Sequence, residues 1–154
     1  YLGLSYSSLG MTMESISAFT EALLIRESDT LLLSIAEQYY KINEYGASEQ
    51  YLYRVITNSM NQELIDKSKI LLAQINIDKE QYDEAEKIYN ELLLQNDNNA
   101  DAHYGLGLIY EKQNNLVKAR AEWRKTLKIQ VNHQGAKKKL SDNWFIIIKK
   151  RCIM

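Results

Sequence analysis

The segment Leu106-Gly107-Leu108-Ile109-Tyr110, followed after a polar break by Leu116, Ala119, Trp123, Thr126 and Leu127, decides the fold. Its first half places a small residue between large apolar ones at helical spacing. Its second half does the same around Ala119, with an aromatic residue one turn later. A small residue on each of two consecutive helices lets them approach closely, and the large neighbours fill the remaining grooves. The break between them, Gln113-Asn114-Asn115, is polar, and asparagine tolerates the left-handed conformation that ends a helix. The segment therefore reads as one helical hairpin.

Three further copies lie upstream. The first is Leu2-Gly3-x-x-Tyr6 with Ser15, Phe19, Ala22 and Leu23; the second is Ile35-Ala36-x-x-Tyr39 with Tyr45, Ser48, Leu52, Val55 and Ile56. The third is Leu72-Ala73-x-x-Asn76 with Tyr82, Ala85, Tyr89, Leu92 and Leu93. Ser15, Ser48, Ala85 and Ala119 stand 33, 37 and 34 residues apart, and the large residues Phe19, Leu52, Tyr89 and Trp123 keep the same intervals. In the second copy Leu32, Ile35, Ala36 and Tyr39 fall on one helix face. The breaks Ile42-Asn43-Glu44 and Lys79-Glu80-Gln81 match Gln113-Asn114-Asn115 in position. Helices are expected near 1–9, 12–26, 30–42, 45–57, 61–78, 82–95, 99–112 and 116–130, with a ninth from about 133.

The pattern resembles the tetratricopeptide repeat (TPR), a helix-turn-helix unit of about 34 residues, over Tyr1 to Asn132. The proline that usually closes that unit is replaced by Glu27, Met60, Asp97 and Val131, and Asn76 stands where a tyrosine is expected. The resemblance implies an all-α, right-handed TPR-like helical solenoid of about 3.5 repeats, near 1–28, 29–59, 65–97 and 99–132. A basic C-terminal capping helix and tail would occupy 133–154. A chain that opens at Tyr1 with a short first helix reads as a fragment beginning inside a repeat.

In the TPR family the first helix of each pair lines a concave surface that receives a peptide or protein segment. The corresponding positions are Leu33, Glu37 and Tyr40 in the second repeat and Ile70, Gln74 and Ile77 in the third. In the fourth they are Tyr104, Leu108 and Glu111, and the first repeat supplies Leu4 and Ser7; Lys41 and Lys112 lie just beyond the row. An apolar, tyrosine-bearing stripe of this kind marks a contact surface; the alternative is packing against neighbouring helices. Some family members clamp an acidic C-terminal tail with lysine, arginine and asparagine. Here those positions hold Leu4, Leu33, Ser34, Lys67, Leu71, Asp101 and Gly105, so only Lys67 fits and a chaperone-tail partner is not expected.

Composition agrees with a helical fold. Proline is absent and glycine numbers six, which favours uninterrupted helices. Nineteen basic and twenty acidic residues give a net charge of −1, so no nucleic-acid partner is implied. A single cysteine, Cys152, excludes an internal disulfide and a cysteine-based zinc site. His103 and His133 lack ligand-spaced partners; His103 falls on a packing face and His133 in a turn, free to be solvated or to cap the last helix. Gly105 and Gly107 are read as interrupting a helix, with no phosphate-binding pattern around them. Asp78, Asp83, Glu84 and Glu86 are read as a solvated face.

The tail differs. Lys137, Lys138, Lys139, Lys149, Lys150 and Arg151 against Asp142 give a local charge of +5. Ala136, Leu140 and Trp144 step by four, as a helix covering the last repeat requires. The run Trp144-Phe145-Ile146-Ile147-Ile148 leaves packing, partner or second-copy contact, and interfacial membrane attachment open. Cys152 stands third from the end, one place short of a prenylation box. The expected function is non-enzymatic protein binding, as scaffold, adaptor or assembly factor, with no cofactor and no metal. The alternative is an accessory oligomerisation or membrane-anchoring module of a larger enzyme or envelope complex. Cytoplasmic residence is the default expectation, with a periplasmic or envelope setting as the alternative.

Overall fold

The computed structural model describes residues 11–25 and 28–151, those from 143 onward by backbone alone. The described residues form eight α-helices and no strand. They are α1 (Thr12–Ile25), α2 (Asp29–Lys41), α3 (Tyr45–Asn58), α4 (Gln62–Asp78), α5 (Tyr82–Gln95), α6 (Ala100–Lys112), α7 (Leu116–Ile129) and α8 (Gln134–Arg151). Every expected helix from the second onward is found, with starts and ends through α7 displaced by no more than one residue. The expected helix near 1–9 lies outside the described residues.

The helix ends follow from local chemistry. Asn61, Asn99 and Asn115 cap α4, α6 and α7, each side-chain oxygen accepting from the first turn, at 3.0 Å from the amides of Glu63 and Ala102 and 3.2 Å from that of Lys118. After α2, Asn43 adopts φ 60°; its amide donates to the Tyr40 carbonyl and the next amide, of Glu44, reaches back to Tyr39, each at 3.0 Å. Asn114 repeats this after α6, with bonds to Glu111 and Tyr110. These are Schellman closures, and asparagine accepts their left-handed backbone. Glu80 holds φ 61° in the matching turn after α4.

The chain divides into two compact units, Tyr1–Lys79 and Glu80–Met154. In the first, α1 packs on α2, α2 pairs with α3, and α4 packs on both α3 and α2. Its core holds Phe19, Leu32, Ile35, Ala36, Leu52, Val55, Leu72, Ala73 and Ile75. Where α2 and α3 meet, the small residues Ala36 and Ser48 are fully buried, and Ser48 Oγ donates to the Ala36 carbonyl at 2.8 Å. That bond satisfies a hydroxyl that would otherwise be costly to bury. Tyr39 stacks on Tyr51 beside it, with ring centroids 5.8 Å apart.

In the second unit α6 pairs with α7, α5 packs on α6, and α8 packs on α7. Gly105 and Gly107 do not interrupt a helix: α6 runs unbroken from Ala100 to Lys112. A Cβ at Gly105 would stand 2.1 Å from the Tyr89 ring of α5, and one at Gly107 would stand 2.2 Å from the Trp123 indole of α7. The glycines are seats for two buried aromatic side chains. Ala136 of α8 is buried against Trp123 and Ala119, with Leu127 and Leu140 packed around them. Trp144 and the apolar run after it lie outside the residues with described side chains.

Candidate functional site

Within the first unit, Leu33, Glu37 and Tyr40 follow one another at four and three residues along α2, on one face. Ile70, Gln74 and Ile77 do the same along α4. α2 and α4 are in contact, and Tyr40 of α2 is bonded to Asp78 of α4. Leu33 and Ile77 are buried, at 6% and 4% exposure. Glu37 is exposed, while Tyr40, Ile70 and Gln74 are half-buried.

A hydrogen-bonded cluster joins the two helices. Tyr40 donates from its hydroxyl to Asp78 Oδ2 at 2.8 Å, and Gln74 Nε2 donates to Asp78 Oδ1 at 3.1 Å. Burial and the Asp78 carboxylate together push the Tyr40 phenol well above its ordinary range. Tyr45 lies beside it, ring centroids 6.0 Å apart. Desolvation raises the Glu37 carboxyl above the usual carboxylate range, against the opposing pull of Lys41 and Lys67. Lys67 is exposed and paired with Glu63 one turn away at 2.6 Å. That bond lowers the Glu63 carboxyl and raises the Lys67 ammonium. The surface thus offers half-buried apolar area, one partly desolvated carboxylate, amide and phenol groups, and lysines at its edge.

In the second unit, Tyr104, Leu108 and Glu111 of α6 are all partly buried, and α8 meets Tyr104 and Glu111. A Cβ at Gly135 would stand 2.7 Å from the Tyr104 ring, so glycine at the start of α8 admits that ring. His133 packs on Tyr104 with centroids 4.6 Å apart, and its Nδ1 accepts from the Ala136 amide at 3.1 Å, capping α8. Glu111 is ion-paired with Lys139 of α8. Burial is the main cause that raises the Tyr104 phenol. Leu4 and Ser7 lie outside the described residues.

His103 is buried between α6 and α7, with Nδ1 2.7 Å from Glu122 and Nε2 3.1 Å from the Asp97 carbonyl. Both ring nitrogens serve the joint between helices. Among the described residues no group of three His, Cys, Asp or Glu could hold a metal ion, and no helix is long and apolar enough to cross a membrane.

Sequence reasoning missed two participants. Asp78, read as part of a solvated face, bridges Tyr40 and Gln74; its signal was its register, five residues after Ala73, as Lys41 follows Ala36 and Lys112 follows Gly107. Lys139 was read only as tail charge, with nothing nearby in sequence to mark its pairing with Glu111. Asp78, Asp83 and Glu84 are exposed, as read, while Glu86 is partly buried and accepts from the Tyr110 hydroxyl at 3.1 Å.

Comparison with known proteins places this arrangement. No curated protein matches the chain. Among solved structures it is similar to MamA, with a TM-score of 0.70 and 20% identity, covering 90% of this chain and 80% of that one. It is similar to YrrB, described as a TPR protein with an unusual peptide-binding site, with a TM-score of 0.71, 23% identity, and coverage of 90% and 71%. The APC/C hetero-tetramer Cut9–Hcn1 contains a chain matched at a TM-score of 0.76 and 17% identity, over 92% of this chain and 28% of that one. These likenesses establish a TPR-like helical-repeat solenoid as the fold class. The family model for the tetratricopeptide repeat protein 21 C-terminal ARM domain matches residues 8–143. With most of its length so matched, the chain belongs to the family of the tetratricopeptide repeat protein 21 C-terminal ARM domain.

Proposed function

We propose that this chain is a non-enzymatic protein-interaction module that receives a peptide segment of a partner on the shared face of α2 and α4. One observation carries the reading. In the second unit's equivalent row Tyr104 and Glu111 are met by Gly135 and Lys139 of α8, whereas Glu37 of α2 is exposed; Tyr40, Ile70 and Gln74 are half-buried, as Tyr104, Leu108 and Glu111 are. Half-buried apolar area beside fixed polar groups costs little further ordering when a ligand arrives, which favours binding. The description of YrrB, a protein of similar fold, as having a peptide-binding site supports the reading.

The test is to select binders from a random peptide library and map the bound peptide by amide chemical-shift changes. Changes centred on Glu37, Tyr40, Lys67, Ile70 and Gln74 support the proposal. Changes confined to α5, α6 or α7 contradict it.

A further inference from the structure

The second helices of the third and fourth repeats carry opposite charge at equivalent positions. On α5, Asp83, Glu84, Glu86 and Glu91 stand against one lysine, Lys87. On α7, Lys118, Arg120, Arg124, Lys125 and Lys128 stand against one acid, Glu122. At the repeat interval of 34 residues, Glu84, Glu86 and Glu91 of α5 fall on Lys118, Arg120 and Lys125 of α7. Of these, Glu86 falls on the face of α5 that Asp83 and Asn90 share, and Arg120 on the matching face of α7 with Arg124.

These faces are not spent on each other. Tyr89 of α5 enters α6 at Gly105 and Trp123 of α7 enters it at Gly107. Two residues are about 200° of helix rotation, so α5 and α7 flank α6 on opposite sides. Glu122, the one acid of α7, is held by His103 and Lys125. Arg120 and Arg124 meet no carboxylate among the described residues, and with Leu116 and Val117 they line a surface hollow of about 470 Å³. On α5 a similar hollow of about 440 Å³ is lined by Asp83, Glu86, Lys87, Asn90, Glu91 and Leu94, net acidic despite the lysine, with Glu86 also accepting from the Tyr110 hydroxyl. Each face also carries one strongly exposed aliphatic residue, Val117 at 83% and Leu94 at 87%.

We propose that the basic outward face of α7 docks against the acidic outward face of α5 on a second copy of this chain. Opposite potentials steer such an encounter and fix its register, and the aliphatic residues supply apolar contact at each hollow. The two patches differ and lie on opposite sides of α6, so the contact is head-to-tail. It closes into a ring or extends as a chain of copies according to the rotation it imposes. This contact uses neither α2 nor α4 and stands apart from the peptide-binding proposal.

Sedimentation of the 154-residue protein across a salt series tests it. Self-association at about 50 mM salt should weaken by roughly ten-fold or more at about 500 mM, because rim charges are screened within a few ångströms there. Arg120→Glu/Arg124→Glu should be monomeric, as should Asp83→Lys/Glu84→Lys, each with unchanged helix content. Mixing the two variants should restore a complex through the swapped pair. A protein that stays monomeric at low salt, or an assembly that neither charge reversal weakens, would overturn the proposal. If a variant fails to fold, the salt series of the unaltered chain decides alone.

Discussion

Gly107 of α6 lies directly beneath the Trp123 indole of α7: a Cβ at the glycine would stand 2.2 Å from Nε1. Trp123 is fully buried. Helix propensity alone says that Gly107→Ala should stabilise α6 by about 1 kcal/mol. Overpacking says that it should cost about 1–3 kcal/mol or more. At such a distance the clash wins, so Gly107→Ala is expected to lower stability by about 2 kcal/mol in urea unfolding. The cost should shrink in a Trp123→Phe background, the sign of direct coupling. A stabilised Gly107→Ala would show that the two helices are further apart than described.

Glu80 occupies the left-handed region at φ 61°, where Asn43 and Asn114 stand in the matching turns. A residue with a Cβ pays roughly 1–2 kcal/mol there, and glycine does not. Glu80→Gly should therefore raise stability by about 1 kcal/mol and Glu80→Asn by less. Asn114→Gly, at a turn already served by a tolerant residue, should change little. Urea midpoints of the three variants check the ranking.

Ser68 is fully buried on α4, and its hydroxyl has no hydrogen-bond partner. An orphaned buried hydroxyl is costly, and alanine is the better helix former. Ser68→Ala is expected to stabilise the protein by about 1 kcal/mol in thermal or urea unfolding. A loss of similar size would mean that the hydroxyl is bonded in solution.

The phenols of Tyr40, Tyr104 and Tyr110 are all raised, chiefly by burial, with carboxylate bonds from Asp78 and Glu86 adding to the shift of Tyr40 and Tyr110. In the unfolded chain a tyrosine loses its proton near pH 10. Above that pH the unfolded state binds fewer protons than the folded one, so stability falls as pH rises. The contribution of these groups is complete below about pH 10 and is lost on going upward. Tyr40→Phe should flatten that decline above about pH 10, measured as urea midpoints against the unaltered chain.

Most of the fold was legible because its signals are local and repeated. Small residues such as Ala36, Ser48, Ala73, Ala85 and Ala119 recur at fixed intervals, and each is fully buried between helices. Asn43 and Asn114 announce their turns by chemistry, whereas Glu80 is identified only by its place in the repeat. Gly105 and Gly107 misled because glycine in a helix signals weakness unless the ring it admits is known, and Tyr89 and Trp123 lie on other helices. The candidate surface was harder for the same reason. Helical spacing places Leu33 and Ile77 on the row with Tyr40 and Gln74, but which flank a neighbouring helix covers depends on packing between helices. Nothing near Tyr104 in sequence says that Gly135 and Lys139 bring α8 over that row, although a glycine at the start of α8 fits the close approach.

The central claim is that the shared face of α2 and α4 holds the peptide. The most direct measurement is the affinity of a selected peptide for Glu37→Ala/Gln74→Ala by calorimetry, with thermal unfolding as control. Loss of two central contacts should weaken binding by about ten-fold or more while the unfolding temperature moves little. Unchanged affinity in a folded variant would contradict the account.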